Sequence, residues 1–203
     1  MLVFKRIPLA LLLSGLLSGG GTAADFSDPT WPCIQRKVDG LSLGLMWQFP
    51  VPEALPDDSQ TQQDIADLAD ALMLRRLELE TMRPAVAAFQ EKYGNNPDLL
   101  GHVFSRTFAA LTKRRSRIIN GIGDFSLSQI ALAENIDLLR LEMDDLLDAA
   151  EPDYDKIDVL EERIDWDQVI YTDRQRSITY LCETPQIIEK RLFAVARLLA
   201  EGL

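Results

Sequence analysis

The stretch that decides the fold is residues 104–146, which read FSRTFAALTKRRSRIINGIGDFSLSQIALAENIDLLRLEMDDL. Apolar side chains recur every seven residues along it, and a second apolar row follows four positions behind the first. This repeat is typical of helices that supercoil around their neighbours. It passes Gly121 and Gly123 in phase, which separate helices joined by a turn would have no reason to do. We therefore predict one helix over residues 98–149. The alternative is a local break at the glycines, since each costs a helix about 1 kcal/mol.

The same period runs through the segments on either side. Residues 62–93 keep it across Pro84, and residues 155–201 keep it across Pro185. A proline that ended the helix would leave the register no reason to continue, so we predict one kinked helix in each segment. At Pro185 the alternative is a new helix that Thr184 caps.

A short turn at residues 151–154 makes the second and third helices antiparallel neighbours. Residues 62–203 thus predict an all-α fold, an elongated antiparallel three-helix bundle that resembles a coiled coil. Residues 25–61 differ, because they contain five prolines and apolar side chains that alternate with other residues. This composition predicts a non-helical N-terminal arm and a proline-rich linker.

Residues 1–24 have the pattern of a signal peptide. Lys5 and Arg6 precede an apolar run, and small residues that end at Ala24 follow it. The run is too short to span a bilayer comfortably. We expect cleavage there, a periplasmic or secreted protein, and no membrane anchor afterwards. An uncleaved membrane anchor is the alternative.

The chain has two cysteines, Cys33 and Cys182. An exported protein enters an oxidising compartment, which favours a disulfide between them. Pairing of the antiparallel helices places Cys182 beside Gly121 and Gly123, and we expect both glycines to let the arm approach the long helix closely. Two separate thiols, one of them reactive as in a thiol redox protein, are the alternative.

Five polar residues occupy positions at which the repeat calls for apolar side chains: Arg75, Arg115, Gln129, Asp167 and Arg174. Pairing across the predicted hairpin puts Gln129 near Arg174. A buried polar layer can fix the register of neighbouring helices, which is the role we favour. The alternative is that these residues line a small-ligand pocket.

The chain is acidic, with a formal charge of −11. Residues 134–167, at the predicted hairpin tip, hold fourteen acidic and three basic side chains. Five carboxylates lie in or beside the turn: Asp148, Glu151, Asp153, Asp155 and Asp158. They could bind Ca²⁺ or dock a basic partner, although the central glycine of an EF-hand is missing. The simplest interpretation is a solvated surface.

Residues of catalytic type are few. His102 is the only histidine, the serines lack a G-x-S-x-G motif, and residues 121–123 have no phosphate-loop lysine. One histidine and two distant cysteines exclude a three-histidine zinc site and a C-x-x-C pair. We therefore expect no enzymatic activity and no cofactor.

These patterns favour an exported helical protein that binds another cell-envelope protein. Acidity and export argue against nucleic acid as a partner. A module that binds a small ligand or a divalent cation through the acidic tip is the alternative, and a thiol redox protein is a further one. A homodimer is compatible with the sequence, since helical rods often pair.

Overall fold

The computed structural model describes residues 28–203. The predicted all-α class is confirmed for this part of the chain, which contains helices and no strands. It has four α-helices, named here in chain order: α1 (Ser59–Leu72), α2 (Arg83–Tyr93), α3 (Pro97–Leu147) and α4 (Tyr154–Ala200). The predicted signal peptide, residues 1–24, lies outside the described residues. Among the helices between residues 28 and 203, none combines the length and apolar character that crossing a membrane requires.

α3 runs without a break through Gly121 and Gly123, as the seven-residue repeat predicts. Its 51 residues extend over about 76 Å at 1.5 Å per residue. The Asn96 side chain caps its first turn by accepting hydrogen bonds from the Asp98 and Leu99 N–H groups. A local break at the glycines is therefore not present.

α4 likewise continues through Pro185, over 47 residues. Asp153 caps the helix by accepting a hydrogen bond from the Lys156 N–H group. The alternative in which Thr184 caps a new helix is wrong, because its hydroxyl donates 2.9 Å back to the Tyr180 carbonyl within α4. α3 and α4 pack against each other as an antiparallel hairpin.

The predicted single helix over residues 62–93 is wrong. α1 begins at Ser59, after an Asp58 cap, and ends at Leu72, while Pro84 lies in the first turn of α2. A proline is tolerated in a first turn because the N–H group that it lacks has no partner there in any case. The structure therefore has two short helices where the sequence predicts one long one, and four helices in place of three.

The connection between α1 and α2 is held by Arg191 of α4. Its Nε and Nη1 each donate a 2.9 Å hydrogen bond, to the carbonyls of Leu72 and Leu77 respectively. Burial lowers the pKa of Arg191 from its ordinary value. Carbonyl groups that would have no hydrogen-bond partner at and after the end of α1 thus receive hydrogen bonds from another helix.

Asp64 joins α1 to α2. Its carboxylate accepts a hydrogen bond from the Tyr93 hydroxyl at 2.6 Å and pairs with Lys92. The hydrogen bonds from Lys92 and then Tyr93 lower the pKa of Asp64 to about 2. These bonds hold the two short helices side by side, whereas one continuous helix would place Asp64 and Tyr93 about 43 Å apart.

The main core lies at one end of the hairpin, where α1, α2 and Trp47 pack on α3 and α4. A small second cluster surrounds the two cysteines. The third lies towards the hairpin tip and contains side chains of α3 and α4 alone, among them Ile136, Leu139 and Ile164. The core thus contains several elements at one end of the hairpin and only α3 and α4 at the other.

Residues 28–58 contain one short helical element, a 3-10 helix at Leu43–Leu45. This segment runs antiparallel to α3. The Pro29 carbonyl lies at Ser126, and the buried Trp47 ring stacks on Phe104 with ring centroids 5.4 Å apart. The segment therefore lies on α3 from residue 126 back towards its beginning.

Candidate functional site

The two cysteines lie at disulfide-bonding distance. Cys33 Sγ is 2.02 Å from Cys182 Sγ, and the Cα atoms are 5.5 Å apart. Both side chains are buried in a cluster with Trp31, Ile119 and Ile122. A cross-link between residues 149 positions apart stabilises by about 5 kcal/mol in the chain-entropy model. The bond ties the N-terminal segment to α4.

Close approach of that segment to α3 occurs at Gly123. A Cβ atom there would lie 3.4 Å from Thr30 Cβ, whereas one at Gly121 would meet no atom within 4 Å. Beside this contact, the Ser126 hydroxyl donates a 2.7 Å hydrogen bond to the Pro29 carbonyl. The segment thus lies at ordinary contact distance from Gly123 and does not reach Gly121, so the prediction for Gly121 is wrong.

Arg115 connects three elements rather than two helices. Its side chain is only 2% exposed. Nε donates 2.7 Å to Glu189 Oε1 of α4, and Nη2 donates 2.7 Å to the Val38 carbonyl of the N-terminal segment. The sequence predicts that Arg115 acts in helix register. It does not predict the hydrogen bond to the Val38 carbonyl, because the seven-residue repeat carries no information about residues 28–58.

Gln129 and Arg174 lie near the same level of the hairpin. Gln129 Nε2 donates 3.1 Å to the Tyr171 carbonyl, and Arg174 Nη1 donates 3.3 Å to Ser128 Oγ. Gln129 is buried, whereas Arg174 is exposed. These bonds join α3 to α4, but with Arg174 exposed they do not form the predicted buried layer, and the register role stays a prediction.

Asp167 forms a further bond between α3 and α4, since its Oδ2 accepts a 3.2 Å hydrogen bond from Asn135 Nδ2. The fifth predicted residue, Arg75, has no such role. It lies in the connection between α1 and α2, and its buried Nε has no hydrogen-bond partner among the described residues. Its predicted place in a helical repeat is wrong because no helix forms there.

The five carboxylates of the turn do not converge. Asp148, Glu151, Asp153, Asp155 and Asp158 are all exposed. Asp153 pairs with Lys156 at 3.0 Å, and hydrogen bonding to the Lys156 side chain lowers its pKa. Across residues 28–203, no group of three or more histidine, cysteine or acidic side chains is placed to hold a metal ion.

An apolar stripe lies on α4 near the hairpin tip, formed by Val159, Trp166 and Val169, and we call it the α4 stripe. Ile164 of α4 is buried against α3. Trp166 follows two positions later, about 200° around the helix, so it faces away from α3. Trp166 is 68% and Val159 66% exposed. An open groove runs along the stripe, and Glu162 and Asp165 also line it.

A second stripe lies on α3, on the face turned away from α4, and we call it the α3 stripe. Its members are Leu127, Ile130, Leu138 and Leu141. Leu138 is 65% exposed, close to the value for Val159. The seven-residue repeat misses both stripes, because their side chains lie outside the rows that face the partner helix.

His102 is nearly buried on α3 and lines a groove shared with α1, beside Ser105 and Arg106. Its imidazole forms no hydrogen bond to any described residue. A histidine without a partner that orients it is not an assembled acid–base pair.

No protein-family model, curated protein or solved structure matches this chain.

Proposed function

We propose that this chain is an exported, non-catalytic helical protein that binds another cell-envelope protein along the α3–α4 hairpin. In this proposal residues 1–24 are removed on export, and the protein acts in the periplasm or outside the cell without a membrane anchor. The scaffold is an elongated antiparallel bundle against which an N-terminal arm, residues 28–58, is fastened by the bond between Cys33 and Cys182.

The observation that carries this proposal is the exposure of large apolar side chains on both outer faces of the hairpin tip. Leu138, Val159 and Trp166 each leave well over half of their surface in water. Apolar side chains that are exposed as a group often mark a surface that binds a partner. A binding surface supplies the reason that packing within the chain does not.

The buried disulfide supports export, because disulfides persist in oxidising compartments and are rare in the cytosol. It does not favour a thiol redox role. Exchange requires a thiolate to reach one of the sulfurs, and Cys33 and Cys182 lie inside an apolar cluster. The arrangement fits a structural cross-link better than a reactive one.

Cation binding at the turn has less support than protein binding. The carboxylates there point into solvent, and Asp153 is engaged with Lys156 and with the first turn of α4. A calcium site needs six to eight oxygens around one point. Exposed apolar side chains beside those carboxylates fit a protein partner instead.

The test is photo-crosslinking in cells that make the protein at its native level. A photoreactive amino acid is placed at position 138 or 159, with position 91 on α2, which is exposed and polar, as the control. We expect a discrete adduct with an envelope protein from positions 138 and 159 and none from position 91. Absence of an adduct at every hairpin position, or recovery of the protein in the cytoplasm, would contradict the proposal.

A further inference from the structure

The α4 stripe is short and uncovered, and charged side chains lie between Val159 and Trp166 on the same face. Val159, Trp166 and Val169 extend over eleven residues of α4, about 15 Å from the first to the last. Spacings of seven and three place them on one face of the helix. That face is turned away from α3, so its side chains cannot be buried by the partner helix of the hairpin.

Other described elements do not reach this level of the rod. The N-terminal segment meets α3 at Ser126, and α1 and α2 pack in the core at the far end. Near the tip, the cluster that includes Ile136 and Ile164 contains α3 and α4 side chains alone. Within residues 28–203, therefore, no other element covers the stripe.

The surroundings of the stripe are strongly acidic. Residues 134–167 carry fourteen acidic and three basic side chains. Two of the three bases are engaged, Arg140 with Asp137 and Lys156 with Asp153. The third, Arg163, lines the groove along the stripe. The acids nearest the stripe, in contrast, form no ion pair with any described residue: Asp158, Glu162 and Asp165.

The acidic surroundings of the α4 stripe indicate which kind of partner can bind there. A second copy laid tip to tip would bring two surfaces of the same sign together, which like charges oppose. An anionic lipid surface is disfavoured for the same reason. A basic segment with one apolar face can make two favourable interactions with this surface. Its apolar side chains cover the stripe, and its cations pair with free carboxylates.

We propose that the α4 stripe docks a basic amphipathic helix of the partner protein, with Trp166 as the central anchor. This inference rests on the proposed function, that the hairpin binds another protein, and specifies the chemistry of the partner. Tryptophan is over-represented among residues that dominate interface energetics. Val159 and Val169 lie on either side of it. Glu162, Asp165 and one base, Arg163, line the same groove, so the charged side chains of its rim are acidic on balance.

Trp166 is also the reporter. The chain has three tryptophans, and Trp31 and Trp47 are buried. A helical peptide of leucine and lysine, arranged with one apolar face, serves as the probe on the purified, disulfide-bonded protein. We expect it to shift the Trp166 emission to shorter wavelength, and we expect the matching leucine–glutamate peptide to leave the emission unchanged.

Variants separate docking from charge attraction alone. The double substitution Val159→Ser, Val169→Ser keeps both the reporter and the acidic rim, and should weaken binding of the leucine–lysine peptide by roughly tenfold or more. Ile187→Ser, Phe193→Ser, at exposed apolar positions of α4 far from the tip, is the matched control and should leave the affinity unchanged. Circular dichroism checks that both variants keep their helices. Equal affinities for both variants and the parent protein, or equal losses in both variants, would overturn the proposal.

The partner itself gives a separate outcome. A photoreactive amino acid at position 166 should form its adduct with a partner segment of positive net charge. A neutral or acidic segment, or a second copy of this chain, would overturn this inference. Adducts of positions 138 and 159 with an envelope protein would still support the proposed function.

Discussion

Arg115 and Glu189 are 74 positions apart in the sequence, yet their side chains meet at 2.7 Å. The same guanidinium donates to the Val38 carbonyl, so one buried side chain holds α3, α4 and the N-terminal segment together. A buried cation needs partners for its hydrogen-bond donors, and here they come from two different parts of the chain.

Substitution of Arg115 tests this junction. Arg115→Met should lower the free energy of unfolding by about 2–3 kcal/mol, because the Glu189 carboxylate and the Val38 carbonyl lose their partner. Urea denaturation followed by circular dichroism measures the change. Arg114→Met, at the exposed neighbouring position, is the control and should have little effect. Equal stabilities of the two variants would remove the proposed role of Arg115.

The link between Cys33 and Cys182 gives a second prediction. Replacement of both cysteines by alanine should lower the free energy of unfolding by up to about 5 kcal/mol, mainly because the unfolded chain gains freedom. Trp31, in the same cluster, should then emit at longer wavelength. Mass spectrometry of a non-reduced digest should identify the linked peptides. Free thiols in the native protein isolated without reductant would contradict the account.

The contact between Asp64 and Tyr93 makes stability depend on pH. The folded pKa of Asp64, about 2, lies below its ordinary value of 3.8, so the folded state binds this proton less readily than the unfolded state does. The stabilisation is therefore present above about pH 4 and is lost as the pH falls through 2.

Asp64→Asn should accordingly be less stable than the parent protein at neutral pH and should lose less stability between pH 4 and pH 2. Denaturation curves at several pH values measure both effects. Asp67→Asn, at an exposed position of α1, should keep the pH dependence of the parent. The prediction fails if the Asp64 variant follows the parent curve through this range.

Gly121 and Gly123 should respond differently to a large side chain. Leucine at Gly123 would have to extend from a Cβ already 3.4 Å from Thr30, so Gly123→Leu should destabilise the protein and loosen the segment that holds Trp31. Gly121→Leu should be neutral or stabilising by up to about 1 kcal/mol, because it replaces a poor helix former in open space. Thermal melting and Trp31 emission compare them. The reverse order would show that the segment does not lie on Gly123.

The seven-residue repeat predicts the α3–α4 hairpin well because both helices bury the same rows of side chains along most of their length. Pairing by reflection about the turn places Cys182 near Ile122, and the two share one cluster. The repeat also passes Pro84, where no continuous helix exists. The spacing of apolar residues indicates which helix faces pack on the core. Two short helices that pack on the same core can therefore show the spacing of one long helix.

The local sequence does not indicate the break between α1 and α2. Residues 73–83 contain mostly good helix formers. The break depends on Arg191, which reaches the carbonyls of Leu72 and Leu77 from a helix more than a hundred residues later. A contact of that range is not visible in any local window, and neither is the exposure of the α4 stripe.

The central claim is that the hairpin tip offers an uncovered apolar face to a partner, and fluorescence quenching of the isolated protein by acrylamide tests it most directly. Trp166 is exposed, while Trp31 and Trp47 are buried. We expect Trp166→Phe to remove most of the quenchable emission and to leave a protected, shorter-wavelength remainder. Quenching that is the same with and without Trp166 would show that this face is already covered, and would contradict the account.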